Sequence, residues 1–173
     1  MITSINIAVW VGCLSSYNQG HLHGQWVDLD LIDSVEELQE AIDTILKNSP
    51  VEDAEEWGFF DHDLGGIPIN EYEDLETVVN IAKGLKEHKS AFVAFYNCFS
   101  STDLEEFKER YQGDYDSVED YAEQFLEDTG TIASIPENLR YYFDYEKYAN
   151  DLEISGDINA EYIDGKCHIF FNY

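Results

Sequence analysis

Five histidines, three cysteines and 37 Asp and Glu residues are the groups in this 173-residue chain best suited to chemistry. His21 and His23 flank Leu22, a spacing that sets two imidazoles on one side of a strand as metal ligands. Asp61-His62-Asp63 and Cys167-His168 are further fragments of a ligand set. No recognised zinc spacing joins them, and we read them as loop and core residues. The stretch "DHDLGGIPINEY" places Asp61, Asp63 and Gly66 at positions 1, 3 and 6 of a calcium loop. Gly65 then stands where an oxygen ligand is needed and Tyr72 where a bidentate Glu is needed, which excludes a functional EF-hand. G-x-S-x-G, P-loop, G-x-G-x-x-G and H-E-x-x-H are all absent. No carboxylate pair stands out as an acid and base. The expectation is a protein that is not an enzyme, with no catalytic residue, no metal and no cofactor.

What remains is the charge. The 37 acids face 9 Lys and Arg, a formal net charge of −28. A field of that sign repels nucleic acid and anionic membrane and favours basic partners. A DNA binder needs cations to replace condensed counterions, so direct nucleic-acid binding is excluded. Residues 28–76 hold 17 acids against Lys47 alone. Residues 101–165 hold 19 acids against Lys108, Arg110, Arg140 and Lys147. Between these blocks, residues 77–100 carry a net of +2.

The stretch "DYDSVEDYAEQFLEDTG" (114–130) concentrates the pattern. Asp116 or Ser117 can cap a helix, and Gly130 sits where one stops. Val118, Tyr121, Ala122 and Phe125 make its apolar face. Glu119, Asp120, Glu123, Glu127 and Asp128 make the other, with no Lys or Arg among them. Like charges at i, i+4 cost a helix about 0.2–0.5 kcal/mol per pair. A helix rises about 1.5 Å per residue, so 119 to 128 spans roughly 14 Å, or about one carboxylate per 3 Å. One DNA strand places a phosphate every ~3.4 Å. Unbroken negative charge of this density suits a basic groove shaped for a DNA backbone. Solubility or adaptation to salt accounts for the acidity too, and many acidic helices share this spacing.

The elements that must carry these residues read as an α+β chain. "INIAVWVGCL" (5–14) and "QWVDLDL" (25–31) are strands, and "EEWGFF" (55–60) is a third. Between them "SVEELQEAIDTILKN" (34–48) is a helix opened by a Ser34/Glu37 capping box, with Val35, Leu38, Ile42, Ile45 and Leu46 inside. Helices are expected over 74–88, 89–99, 101–113 and 114–130, then 136–143 and 144–152. The end is a hairpin turning at Asp164-Gly165. Sheet, helices and hairpin in that order fit α+β better than alternating α/β. Tyr121, Phe125, Tyr141, Tyr142 and Phe143 suit a core or a dimer contact. The odd count of Cys13, Cys98 and Cys167 without CxxC reads as free thiols in a reducing cytoplasm. The first residues lack a basic signal-peptide region, and no apolar run nears the roughly 20 residues of a membrane span. The expected location is cytoplasmic.

The sequence resembles the ArdA family of antirestriction proteins over nearly its whole length. "LSSYNQGHLHGQWVDL" is similar to the family's Y-N-x-G-x-L-x-G-x-W segment through Tyr17, Asn18, Gly20, Leu22, Gly24 and Trp26. "WGFFDHDLGGIPINEYEDLETV", "YDSVEDYAEQFLEDTG" and "IPENLRYYFDYEKYANDLEISGDI" follow in order, the last two being the most specific. The resemblance implies a mobile-element product that mimics B-form DNA and occupies the DNA-binding groove of type I restriction–modification enzymes. It implies three small domains in an elongated row: an N-terminal α+β domain (1–70), a central helical domain (71–112) and a C-terminal α+β domain with a hairpin (113–173). Two chains would join through the C-terminal domain as a homodimer. The mimic surface would be distributed over Asp33, Glu36, Glu37 and Glu40; Asp103, Glu105, Glu106 and Glu109; and Asp114, Asp116, Glu119, Asp120, Glu123, Glu127 and Asp128. The alternative is an acidic protein that sequesters another basic DNA-binding protein.

Overall fold

The computed structural model describes residues 6–173, and its contacts group them into two compact units. The first runs to Val93 and takes in 102–104; the second holds 94–101 and 105–173.

The first unit is built on β1 (Ile7–Cys13), followed by the helical turn α1 (Leu14–Asn18) and β2 (Gly24–Asp28). Ile5, with which the expected strand begins, lies outside the described residues. β1 is the middle strand of an antiparallel sheet ordered β2-β1-β3, paired along both edges, and is buried along nearly all of its length. The second strand, expected to reach residue 31, ends at Asp28, whose carboxylate accepts from the Asp30 N–H and turns Leu29–Leu31 into one 3-10 turn. Then come α2 (Val35–Lys47), β3 (Trp57–Leu64) and α3 (Leu75–His88). Ser34 caps α2 at the Glu37 N–H, 3.2 Å away. The reciprocal bond of the capping box is displaced by one residue: Glu37 accepts from the Asp33 N–H. Leu38, Ile42 and Ile45 are buried, whereas Val35 and Leu46 are half-buried. Asp74 caps α3 by accepting from the Thr77 N–H at 3.2 Å. Gly24 has a steric role, since a Cβ there would press into the Trp10 indole.

The helix α4 (Ser90–Phe99) carries the chain from the first unit into the second. α5 (Leu104–Arg110) is shorter than the helix expected over 101–113, and residues 111–115 form a strand, β4 (Tyr111–Tyr115). α5 is short because of hydrogen bonding: "YQGDY" pairs antiparallel with the last strand, which an isolated reading of α5 cannot anticipate. The helix expected from a cap at Asp116 or Ser117 to a stop at Gly130 is α6 (Val118–Asp128), capped by Ser117. α7 (Glu137–Arg140) is one turn, shorter than the expected 136–143. α8 (Tyr145–Ser155) starts from its Asp144 cap, and β5 (Ile158–Ile163) and β6 (Lys166–Phe171) form the hairpin. Asp164 and Gly165 both have positive φ, 52° and 78°, as a two-residue type I′ turn requires.

The second sheet is ordered β4-β6-β5, so the last strand is central. Its alternation divides the core. Cys167 and Ile169 join Val118, Tyr121 and Ala122 of α6 and Ala149 of α8. Phe170, on the opposite face, meets Phe95 and Phe99 at 5.9 Å, Phe107 at 6.2 Å and Tyr111 at 5.3 Å between ring centroids. Arg110 lies over the Phe99 ring at 4.5 Å while its Nε donates to Glu106 at 2.9 Å.

His168 lies on that same face of β6, 4% exposed, with Nδ1 3.1 Å from the Tyr111 hydroxyl. Burial lowers its pKa from 6.5, against a smaller upward pull from Asp114 and Asp164. The native state therefore binds this proton less readily than the unfolded chain. The contribution is complete above the unfolded value and is lost as pH falls through the native one. Between pH 7 and about 5, stability measured by denaturant unfolding should fall more for the wild type than for His168→Gln. Equal falls would show that His168 titrates alike in both states.

Candidate functional site

α6 carries a row of five acids on its outer face. Ser117 is its cap: the hydroxyl accepts from the Asp120 N–H at 3.1 Å and donates to the Asp120 carboxylate at 2.8 Å. The helix ends at Asp128, and Gly130 supplies the positive φ of 70° two residues later. Tyr121, Ala122, Val118 and Leu126 are buried. Phe125 is half-buried and packs, as expected, against the cluster shared with β5, β6 and α8. Packing of the inner face fixes the outer one. Glu119, Asp120, Glu123, Glu127 and Asp128 are all exposed, and none makes an ion pair with a described residue. Glu119 and Asp120 also lie in the first turn, where the helix dipole favours them. Glu127 and Asp128 lie in the last turn, where it opposes them.

Four of the other expected acids meet a lysine or an arginine. Asp33 receives Lys86 Nζ at 2.8 Å, and that bond, with the lysine's charge, holds its carboxyl below the usual range. Asp116 receives Lys166 at 2.7 Å with the same effect. Glu105 pairs with Lys108 at 2.8 Å, and Glu106 is half-buried against Arg110 and the Ser101 hydroxyl. These four carry less net field than a sequence count assigns them. Glu36, Glu37, Glu40, Asp103, Glu109 and Asp114 are exposed. Asp114 sits on β4, not on a helix, so it and Asp116 do not extend the row on α6.

Sequence reasoning passes over α8. Its Tyr145, Tyr148, Ala149 and Leu152 recur at i, i+3, i+4 and i+7, the same signal that identifies α6. Its outer Glu146, Asp151 and Glu153 are exposed on a helix packed against α6. Of the paired aromatics, Tyr121 is buried and Phe143 half-buried, but Tyr141 and Tyr142 are 90% and 78% exposed, so neither belongs to the core of the chain.

The histidine and cysteine fragments do not converge. His21 is exposed, His23 bonds the Ile45 carbonyl at 2.8 Å, and Cys167 and His168 are buried in β6. Among the described residues, no group of three or more His, Cys, Asp or Glu side chains is arranged to hold a metal ion. No described helix is long and apolar enough to cross a membrane.

A search of the curated proteins found no match. The family model for the antirestriction protein ArdA matches residues 9–163. That span takes in most of both units and every acid expected on the mimic surface, and the chain belongs to the ArdA antirestriction family.

Proposed function

We propose that this protein inhibits type I restriction–modification enzymes by occupying their DNA-binding groove with carboxylates that imitate the phosphates of B-form DNA. It works in the cytoplasm as a homodimer and performs no catalysis. The observation that carries the reading is the row on α6: five exposed acids with no ion-pair partner among the described residues, held by a capped helix whose inner face is locked in a core. A fixed scaffold loses little conformational freedom on binding, which favours complex formation. Asp33, Glu105, Glu106 and Asp116 are bridged to cations, so the imitation rests first on the row of α6.

The test is competition. A type I enzyme and labelled DNA are mixed with this protein, and the mixture is repeated with a type II enzyme and with a nucleoid protein. Displacement of DNA from the type I enzyme supports the reading. Displacement only from the nucleoid protein supports the second reading, sequestration of another basic DNA-binding protein, which the same charge pattern favours.

Salt should act in opposite directions on inhibition and on stability. Inhibition should weaken steeply as salt rises, because small ions screen both partners. The melting temperature of the free protein should rise by roughly 5 °C from low to moderate ionic strength. That is the order expected from relieving ~1–2 kcal/mol of carboxylate repulsion, part of it between Glu119, Glu123 and Glu127. A flat or falling melting temperature would show that the acidic face is not under strain.

A further inference from the structure

On the first unit, beside the end of α1, the start of β3 and the start of α3, lies an open cleft of about 640 Å³. Trp57 and Tyr72 form aromatic walls, and Glu55, Glu56, Glu73 and Asp74 supply carboxylates. A second hollow of about 470 Å³ adjoins it through Leu14 and adds Tyr17, Phe60 and Glu71. No Lys or Arg is among the described lining residues.

The carboxylates are not equivalent. Asp74 caps α3, covering the positive end of that helix, and Glu73 accepts from the backbone and side chain of Asn70. Both are occupied by the fold. Glu55 and Glu56 are exposed and make no ion pair with a described residue. The aromatics are not used up either. The Trp57 ring is braced edge-on against Phe59 at 5.2 Å and is half-buried, and Tyr72 is 67% exposed. Burial pushes the Tyr72 phenol up, and the adjacent Glu71 and Glu56 add to the rise, so the phenol is neutral among anions. A concavity with wet aromatic faces and unpaired carboxylates fits a flat, weakly hydrated cation that stacks and donates several hydrogen bonds at once. The guanidinium has those properties, and the compact, strongly hydrated ammonium does not.

We propose that this cleft is a receptor for an arginine side chain of the basic partner, stacking on Trp57 and Tyr72 and bonding Glu55 and Glu56. The partner's identity rests on the proposed function; the arginine chemistry does not. The cleft adds side-chain selectivity, which a carboxylate row on a helix lacks.

The full chain, labelled with nitrogen-15, is titrated with blocked Gly-Arg-Gly and Gly-Lys-Gly tripeptides at about 0.15 M salt, where diffuse attraction is screened beyond roughly 8 Å. The Trp57 indole signal and the amides of 55–57 and 72–75 should shift saturably, with the arginine peptide binding about two- to fivefold tighter. Tyr72→Ala, at an exposed position, should remove that preference. Glu56→Gln should weaken both peptides. Equal binding of the two peptides, or shifts spread over α6 as much as over the cleft, would overturn the inference. Inhibition of a type I enzyme is measured in parallel. Wild-type inhibition without selective arginine binding removes the cleft and leaves the mimicry; selective binding without inhibition does the reverse.

Discussion

Glu119→Lys, Glu123→Lys and Glu127→Lys combined should abolish most of the inhibition, on the order of a hundredfold, while Glu123→Gln alone should cost less than about twofold. The three positions are one row at i, i+4 and i+8 on α6, all exposed and without cation partners. A single contact between exposed charges is worth ~0.2–1 kcal/mol, so one neutralisation disappears among its neighbours. Reversal replaces three attractions by three repulsions inside a basic groove, and a loss near 3 kcal/mol is about a hundredfold. The fold should tolerate the change. The three side chains do not pack in the core, and Lys beside Asp120 and Asp128 relieves repulsion. Inhibition is read by DNA cleavage against inhibitor concentration, with a melting curve as the control on folding. A triple variant that inhibits like wild type would remove α6 from the contact face.

Phe170→Ala should be the most damaging single substitution for stability, costing about 3–5 kcal/mol. Phe170 is fully buried on the central strand and meets four other rings, which come from α4, α5 and β4. Truncation loses the transfer energy of the ring and leaves a cavity that helices on one side and a sheet on the other cannot close. Against a typical stability of 5–15 kcal/mol, the melting temperature should fall by roughly 10 °C. Phe125→Ala, on the half-buried rim of α6, should cost distinctly less. Circular dichroism melts of the two variants decide it. A loss below about 1 kcal/mol for Phe170→Ala would mean that the second unit is not organised around β6.

The two substitutions separate what holds the scaffold from what the scaffold displays. Phe170 acts on the display only through folding, whereas the three glutamates act on it without folding. Inhibition lost through Phe170→Ala should therefore return on cooling, and that lost through the triple reversal should not.

Much of this was local and so legible in the residues alone. Ser34, Asp74, Ser117 and Asp144 cap the helices their spacing announces, because a cap is decided within three residues. The Asp164-Gly165 turn needs only two adjacent residues that accept positive φ. Net charge and its two blocks are properties of the sequence itself. Long-range pairing decided the rest. "YQGDY" became β4 because β6 offered it a hydrogen-bonding edge from more than 50 residues away, which shortened the helix expected over 101–113 and put Asp114 on a strand. Lys86 and Lys166 found Asp33 and Asp116 across comparable separations, so a linear count could not tell free acids from bridged ones. The cleft between Trp57 and Tyr72 likewise exists only once β3 and the start of α3 are brought together. Sequence determined how much negative charge the molecule carries; tertiary contacts, by choosing which carboxylates meet a lysine or arginine, decided which of it remains on offer to a partner.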